Sequence, residues 1–449
     1  MTGAFQPPAA GTLQQEDGTE SAPAGGDWTL TAGYSLAFLT LISAFNYLDR
    51  SLLGLALPAI KMEMRVSDAA LGLVSGLAFV LFYSLLGVPI AWAADRWNRR
   101  NIVAVGFAFW SAMTFVSGWV ANVWQFAAVR FLMGAGEACG LAPSNSMISD
   151  LFREERRPLA LSIFGTAVSI AFVVFFPVLG WVDQHYGWRQ MFMLAGAPGI
   201  LLAILFVLTV GEPPRGHREA RRSPVSPVGI GQTLSFLLRS RVYLALLGAG
   251  TFMGFDVFAA SVWTPTFLQR VHGLQMGEVA AVIGPLRGIF GFAGVLLGGL
   301  AVDRLSRGAK HWRTTLPAIA CLLAGPAELI FLLSDSRAVW VAAFAASSFL
   351  TLVHQGPLFA LVLGIARVRM RAVAISVLLL CSALVGQATG PFVVGVLNDT
   401  LAPAFGAAAI RYSLLVIVIS AIAGGGLLLL AGRLIDAEHV QCAQERVES

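Results

Sequence analysis

Gly87-Val-Pro-Ile-Ala-Trp-Ala-Ala-Asp95-Arg96-Trp-Asn-Arg99-Arg100 joins two long apolar runs, and Gly299-Leu-Ala-Val-Asp303-Arg304-Leu-Ser-Arg307 joins two more. A bilayer core of about 30 Å needs roughly 20 helical residues to cross it. The runs flanking the first stretch, 69–93 and 101–120, meet that length, as do 278–302 and 314–333 around the second. Walking outward with the same ruler gives 30–58, 124–149, 158–181 and 189–210, then 242–266, 338–366, 372–397 and 410–432. The reading is an all-α membrane protein of 12 transmembrane helices in two pseudo-symmetric six-helix halves. A transmembrane barrel would need short alternating segments, which this pattern excludes.

Composition agrees. Of 449 residues 57% are hydrophobic and only 12% charged. Soluble domains carry about 25% charged residues, so the excess apolar area must face lipid. A soluble enzyme, a nucleic-acid-binding protein and a disordered protein are excluded. The net charge of +5 is no nucleic-acid signal, because the position of the positive charge matters more than its sum. Cys139, Cys321 and Cys381 lie in apolar runs and Cys442 in a polar tail, with no zinc or CxxC spacing. No cofactor or metal is expected. Residues 1–28 read as a disordered tail without a cleavable signal, 29–210 and 242–433 as the halves, 211–241 as the linker and 434–449 as a second tail.

Arg and Lys set the orientation. Arg96, Arg99 and Arg100, then Arg153, Arg156 and Arg157, the arginines of the linker, Arg304 to Arg313, and Arg367 to Arg371 all fall on one side if the N-terminus lies inside. The opposite side holds few: Lys61, Arg65, Arg189, Arg270, Arg337 and Arg411. Both termini are therefore expected in the cytoplasm. The halves also repeat each other. Asp49 and Pro58 recur as Asp256 and Pro265 at the same separation, and Asp95-Arg96 recurs as Asp303-Arg304. Such repeats place a binding site between the halves near mid-membrane.

The spacing G-x-x-x-D-R-x-x-R resembles the inner-loop motif of the major facilitator superfamily, which implies that superfamily's fold and an inner-loop gating role for Asp95, Arg96, Arg99, Arg100, Gly299, Asp303, Arg304 and Arg307. The second copy fits well; the first has Ala91 and Asn98 where glycines are usual. Asn46-Tyr47-Leu48-Asp49-Arg50, Arg130-Phe-Leu-Met-Gly134-Ala-Gly136-Glu137-Ala138 and Glu212-Pro213-Pro214-Arg215-Gly216 together resemble the Spinster-type lipid transporters of that superfamily. Organic-anion symporters share the R-x-x-x-G-x-x-E-A pattern.

Ionisable residues inside a membrane are costly and mark function by default. Here they are Asp49, Arg50, Arg130, Glu137, Asp256, Arg287, Glu328 and His354. At 1.5 Å per residue, Asp49 lies about 14 Å deep and Arg130 about 9 Å, so the two can meet. Arg130 and Glu137 are about 10.5 Å apart along one helix and cannot pair, which leaves Arg50 as the cation near Glu137. Asp49 and Glu137 are the expected proton-coupling acids, a role the Spinster resemblance also implies, with Arg50 and Arg130 as coupling or head-group cations. Against this stands a static ion network that only fixes helix register. Asp256 and Arg287 lie at similar depth and read as a symmetry-related pair. Glu328 reads as a partner for an interhelical Ser or Thr. His354 is a secondary candidate, more often a satisfied core residue than a proton site.

The expected function is proton-coupled alternating-access transport of an amphipathic, lysophospholipid- or sphingolipid-like substrate, by a monomer in a bacterial inner membrane. The alternative is a proton symporter of small organic or sugar acids. A membrane-embedded enzyme is not expected, since no HExxH, GxSxG or GxxxxGK[ST] occurs.

Overall fold

The computed structural model describes residues 29–214, 230–366 and 370–448. The expected tail 1–28, the linker stretch 215–229 and Ser449 lie outside the described residues. Everything described is helix or short connection, with no strand among the described residues.

The first half runs α1 (Leu30–Met64), α2 (Asp68–Ala94), α3 (Arg99–Ser117), α4 (Val123–Glu137 and Leu141–Leu151), α5 (Arg157–Tyr186) and α6 (Trp188–Thr209). A short amphipathic helix, α7 (Ile230–Arg239), then leads into α8 (Arg241–His272), α9 (Met276–Gly308), α10 (Trp312–Leu333), α11 (Arg337–Ile365), α12 (Arg371–Phe405) and α13 (Leu415–Glu448). Among the described residues, eight stretches are long and apolar enough to cross a membrane: α2, α5, α6, α8, α9, α10, α11 and the run 373–435.

Helix starts follow from side-chain caps. Thr29, Asn98, Asn122 and Ser240 each accept a hydrogen bond from the backbone N–H three residues on, at 2.9–3.2 Å. Gln275 and Glu278 form a reciprocal capping box at the start of α9. The repeat shows in the caps: α1 ends on left-handed Arg65 (φ 53°) and α8 on left-handed Gly273 (φ 67°), each followed by a short link to the next helix. Only the first of these carries a side chain at that backbone angle.

The halves meet along α1 with α8, α2 with α12, and α5 with α9. The approach is close enough to demand glycine. A methyl group on Gly54 would lie 3.0 Å from the carbonyls of Ser261 and Val262, and one on Gly284 would collide with the Phe172 carbonyl. Three of the meeting helices carry wide π-type turns: Val74–Ala78 in α2, Ala171–Phe175 in α5 and Ser382–Gln387 in α12.

The contact between halves is one-sided. α9 packs mainly along 167–186 of α5 rather than on Arg157–Gly165, and Arg371–Cys381 of α12 packs mainly on its own half. The two halves thus part on the face that carries the Asp-Arg motifs and close on the far face. There Asp68 receives Arg270 (2.5 and 3.0 Å) and Lys61 (2.7 Å), while the Asp399 carboxylate accepts the backbone N–H groups of Asp68 and Ala69 at 3.0 and 2.8 Å. These bonds tie α1 and α2 to α8 and α12.

Candidate substrate and coupling site

Asn46 and Arg50 stand one turn apart on α1 and so share a face. Both reach the same oxygen of Glu137: Asn46 Nδ2 at 2.9 Å and Arg50 Nε at 2.8 Å. Glu137 is wholly buried, whereas the Arg50 side chain is 16% exposed. The Arg50 guanidinium also lies over the rings of Tyr83 (4.6 Å) and Phe79 (5.0 Å) of α2, which stack on each other. Two glycines place Glu137 there. A methyl on Gly134 would strike the Phe79 carbonyl, and one on Gly136 would lie 2.9 Å from the Trp110 amide. α4 can therefore lie against both α2 and α3, and its helix breaks immediately after Glu137. The second carboxylate oxygen of Glu137, Oε1, is buried without a hydrogen-bond partner.

Asp49 and Arg130 come together differently from expectation. Arg130 is buried, and its Nη1 donates to the main-chain carbonyl of Asp49 at 3.3 Å, with the guanidinium 5.5 Å from the Phe79 ring centre. Their side chains form no ion pair. Asp49 follows Leu48 and precedes Arg50, so its carboxylate is turned about 100° from Arg50; it faces the Thr114 hydroxyl of α3. Asp49 Oδ1 and Arg130 Nε have no partner. The Arg50–Glu137 pairing inferred by elimination is present; Asp49 and Arg130 do meet, but through the Asp49 main-chain carbonyl and not as an ion pair of side chains.

The second half departs further. Asp256 forms no ion pair with Arg287, and the carboxyl that acts on it most directly is Glu328 of α10. The Thr351 hydroxyl is 3.5 Å from Glu328 Oε1, so the expected Thr partner is also there. Arg287 Nη2 donates to the Val257 carbonyl at 3.0 Å, and its guanidinium reaches across the interface to 5.7 Å from the Phe172 ring centre. His354 sits where α11 breaks, as Glu137 sits where α4 breaks, and its Nδ1 is 2.6 Å from the Thr351 carbonyl. That is the satisfied-core arrangement.

In the first inner-loop motif, Arg99 binds the Asp150 carboxylate of α4, the Glu212 carboxylate (2.7 Å), Ser146 (3.0 Å) and the Pro213 carbonyl (2.8 Å). Burial weakens the charged form of Arg99, but the Asp150 and Glu212 bonds outweigh it and its pKa is raised. The Arg100 amide donates to Glu212 at 2.8 Å, and Arg96 lies 4.0 Å over Trp92. In the second motif Asp303, Arg304 and Arg307 are exposed and form no ion pair among the described residues, and nothing comes within 4 Å of a methyl built on Gly299. Sequence reasoning named Arg99 and Glu212 separately; their pairing joins the inner loop to the end of α6. It quoted Asn46 within the first-helix motif without giving it a role, although its place one turn before Arg50 was a readable signal, and it passed over Phe79 and Tyr83.

An all-helical bundle whose two halves meet at one face around a charged centre is the architecture of a multi-pass integral membrane transporter. The chain belongs to the Major Facilitator Superfamily, whose family model matches residues 39–391. It is a transporter, not an enzyme, and is similar to Spinster-type proteins. A crystal structure of a bacterial homologue of the human lysosomal transporter Spinster, in an inward-facing and unoccupied conformation, superposes with TM-score 0.79 at 26% identity, covering 90% of this chain and 97% of that one. Protein spinster homolog 1 of Xenopus laevis is 26% identical, covering 89% of this chain and 80% of its own length. An MFS-type efflux pump of Mycolicibacterium smegmatis is 29% identical (86% and 88%), and a probable galactarate/D-glucarate transporter of Bacillus subtilis 27% (72% and 76%). A small-molecule substrate follows from the family.

Proposed function

We propose that the protein is a proton-coupled transporter of an amphipathic, lysophospholipid- or sphingolipid-like substrate, with twelve spans, both termini in the cytoplasm of a bacterial plasma membrane, and a monomer as the working unit. The observation that carries this reading is the Arg50–Glu137 pair. Arg50 is the cation of the first-half cluster that keeps a partly exposed side chain, and it is held by a fully buried acid. Protonating Glu137 removes the charge that holds Arg50 and frees the guanidinium for an anionic head group. Loss of the head group lets Arg50 return and the proton leave. Asp49 is the second proton candidate, Arg130 the cation that backs the cluster, and Asp256, Arg287 and His354 are secondary candidates. The inner-loop residues, Arg99 above all, serve as gating contacts on the open face. The likeness to Spinster proteins supports the lipid substrate.

A second reading has its own support. Arg50, Arg130 and Arg287 supply cations in both halves, and the likeness to a galactarate/D-glucarate transporter favours a small sugar acid. Proteoliposomes with an imposed pH gradient separate the two: gradient-driven movement of a labelled lysophospholipid, lost in Glu137→Gln, supports the first reading. Movement of glucarate without any of lysophospholipid supports the second. Transport unaffected by the gradient and by Glu137→Gln removes the proton role.

A further inference from the structure

The far face holds a second polar site that the mid-membrane cluster does not use. A cavity of about 470 Å³ lies between the halves there, lined among others by Lys61, Asp68, Gln269, Arg270 and Asn398. Asn398 is 2% exposed, yet neither its Oδ1 nor its Nδ2 has a hydrogen-bond partner. A buried amide left unpaired at both ends is costly unless something else bonds it. The walls around it are charged in a definite order. Asp68 lies behind, only 1% exposed, and holds both cations; the Lys61 and Arg270 side chains stand in front of it, 35% and 21% exposed. Asp399 is also near, 4.0 Å from Lys61, but its carboxylate is already taken by the Asp68 and Ala69 amides. The cavity is therefore lined by an ammonium, a guanidinium and an amide, the donor set that recognises phosphate and carboxylate groups, together with the Asp68 carboxylate that now holds both cations.

We propose that this cavity binds a small anionic group, phosphate or carboxylate, through Lys61, Arg270 and the Asn398 amide. The anion competes with Asp68 for both cations. Arg270 belongs to one half and Asp68 to the other, so the same competition loosens the ionic contact that closes this face. The site is independent of which substrate crosses the membrane. Its anion comes either from solution or from a lipid head group, and the chemistry at the three donors is the same.

The chain has two lysines, Lys61 and Lys310, so amine-reactive footprinting read by mass spectrometry carries its own internal control. The full chain is placed in phosphatidylcholine nanodiscs and inorganic phosphate is titrated against chloride at constant ionic strength. Lys61 modification should slow saturably, by about threefold at a phosphate concentration twice the dissociation constant, with Lys310 unchanged. Asn398→Leu should raise the midpoint at least about tenfold, and Asn398→Asp, of the same size but opposed to an anion, should abolish protection. Phosphatidylglycerol in place of phosphate distinguishes a head group from a free anion by protecting Lys61 on its own. Spin labels at exposed Trp119 and Phe405, one on each half, should move apart as phosphate binds. Equal slowing of both lysines, or an Asn398→Asp variant that melts like the parent and keeps full protection, overturns the site. Protection of Lys61 without any widening overturns the loosening of the contact.

Discussion

Removing Arg50 should harm the protein more than removing Glu137, although the two form one ion pair. The asymmetry comes from burial. In Arg50→Gln the fully buried Glu137 keeps only the Asn46 amide as a donor within the protein, and its other oxygen already has none. Stranding a buried charge costs about 3–5 kcal/mol. In Glu137→Gln the released guanidinium is partly exposed and still lies over Phe79 and Tyr83, and the new amide can bond Asn46. The loss there is about 1–2 kcal/mol. At roughly 2–4 °C per kcal/mol for a unit the size of one half, Arg50→Gln should lower the melting temperature by roughly 6–20 °C and Glu137→Gln by roughly 2–8 °C. The double variant should melt above Arg50→Gln, because no charge is left stranded. Fluorescence-detected melting in one detergent, with the four proteins side by side, reads all of this. The reasoning is refuted if Glu137→Gln proves the more damaging, or if the single losses add in the double variant.

Asp49→Asn and Arg130→Gln should be nearly additive, with a coupling below about 1 kcal/mol, because their side chains do not pair; a coupling as large as that of Arg50 with Glu137 would restore the ion pair. Gly284→Val puts a branched side chain against the Phe172 carbonyl where α5 and α9 touch, so it should hold the far face apart. Double electron–electron resonance should report a longer far-face distance than in the parent, and an unchanged distance would count against this packing. Glu63 accepts from Arg189 and Trp188, and those bonds hold its carboxyl below the ordinary value of 4.5. Its contribution is therefore present above that pH and fades as pH falls through the lowered value. Because Glu63 is half exposed, Glu63→Gln should cost at most about 1 kcal/mol at pH 7, and melts of parent and variant at successively lower pH should converge as the parent's carboxyl is protonated.

Apolar length made the helices legible. The run expected at 189–210 is Trp188–Thr209, and 314–333 is Trp312–Leu333. Where the edges are amphipathic the helices overrun the apolar stretch: 242–266 extends six residues further, to His272, and 30–58 extends to Met64. α7 was hidden in a segment read as linker, because its apolar face is only one helix wide; Leu237 is buried while Gln232, Ser235 and Arg239 stay exposed. In the site, Arg50 with Glu137 was reachable from axial distances alone. The Asp256–Glu328 contact was not, since it depends on which way α10 is rotated against α8, and a single sequence carries no signal for rotation between helices. The far-face charges looked like ordinary loop residues for the same reason: Asp68 and Arg270 are 202 positions apart, and only the packed halves bring them together.

The wide turn in α2 makes the length of that helix as consequential as its composition. A π-type turn holds one residue more than the regular repeat needs. The wide turn absorbs that residue, so Asp68 at one end and Phe79 and Tyr83 at the other keep the phase of a regular helix. Inserting one further residue in ordinary helical geometry among Val74–Ala78 would swivel one end against the other by about 100°. After such an insertion α2 could keep its grip on Arg270 or its rings beneath Arg50, but not both. Gain of a single codon there would uncouple the far-face closure from the charged centre without altering any residue that touches either.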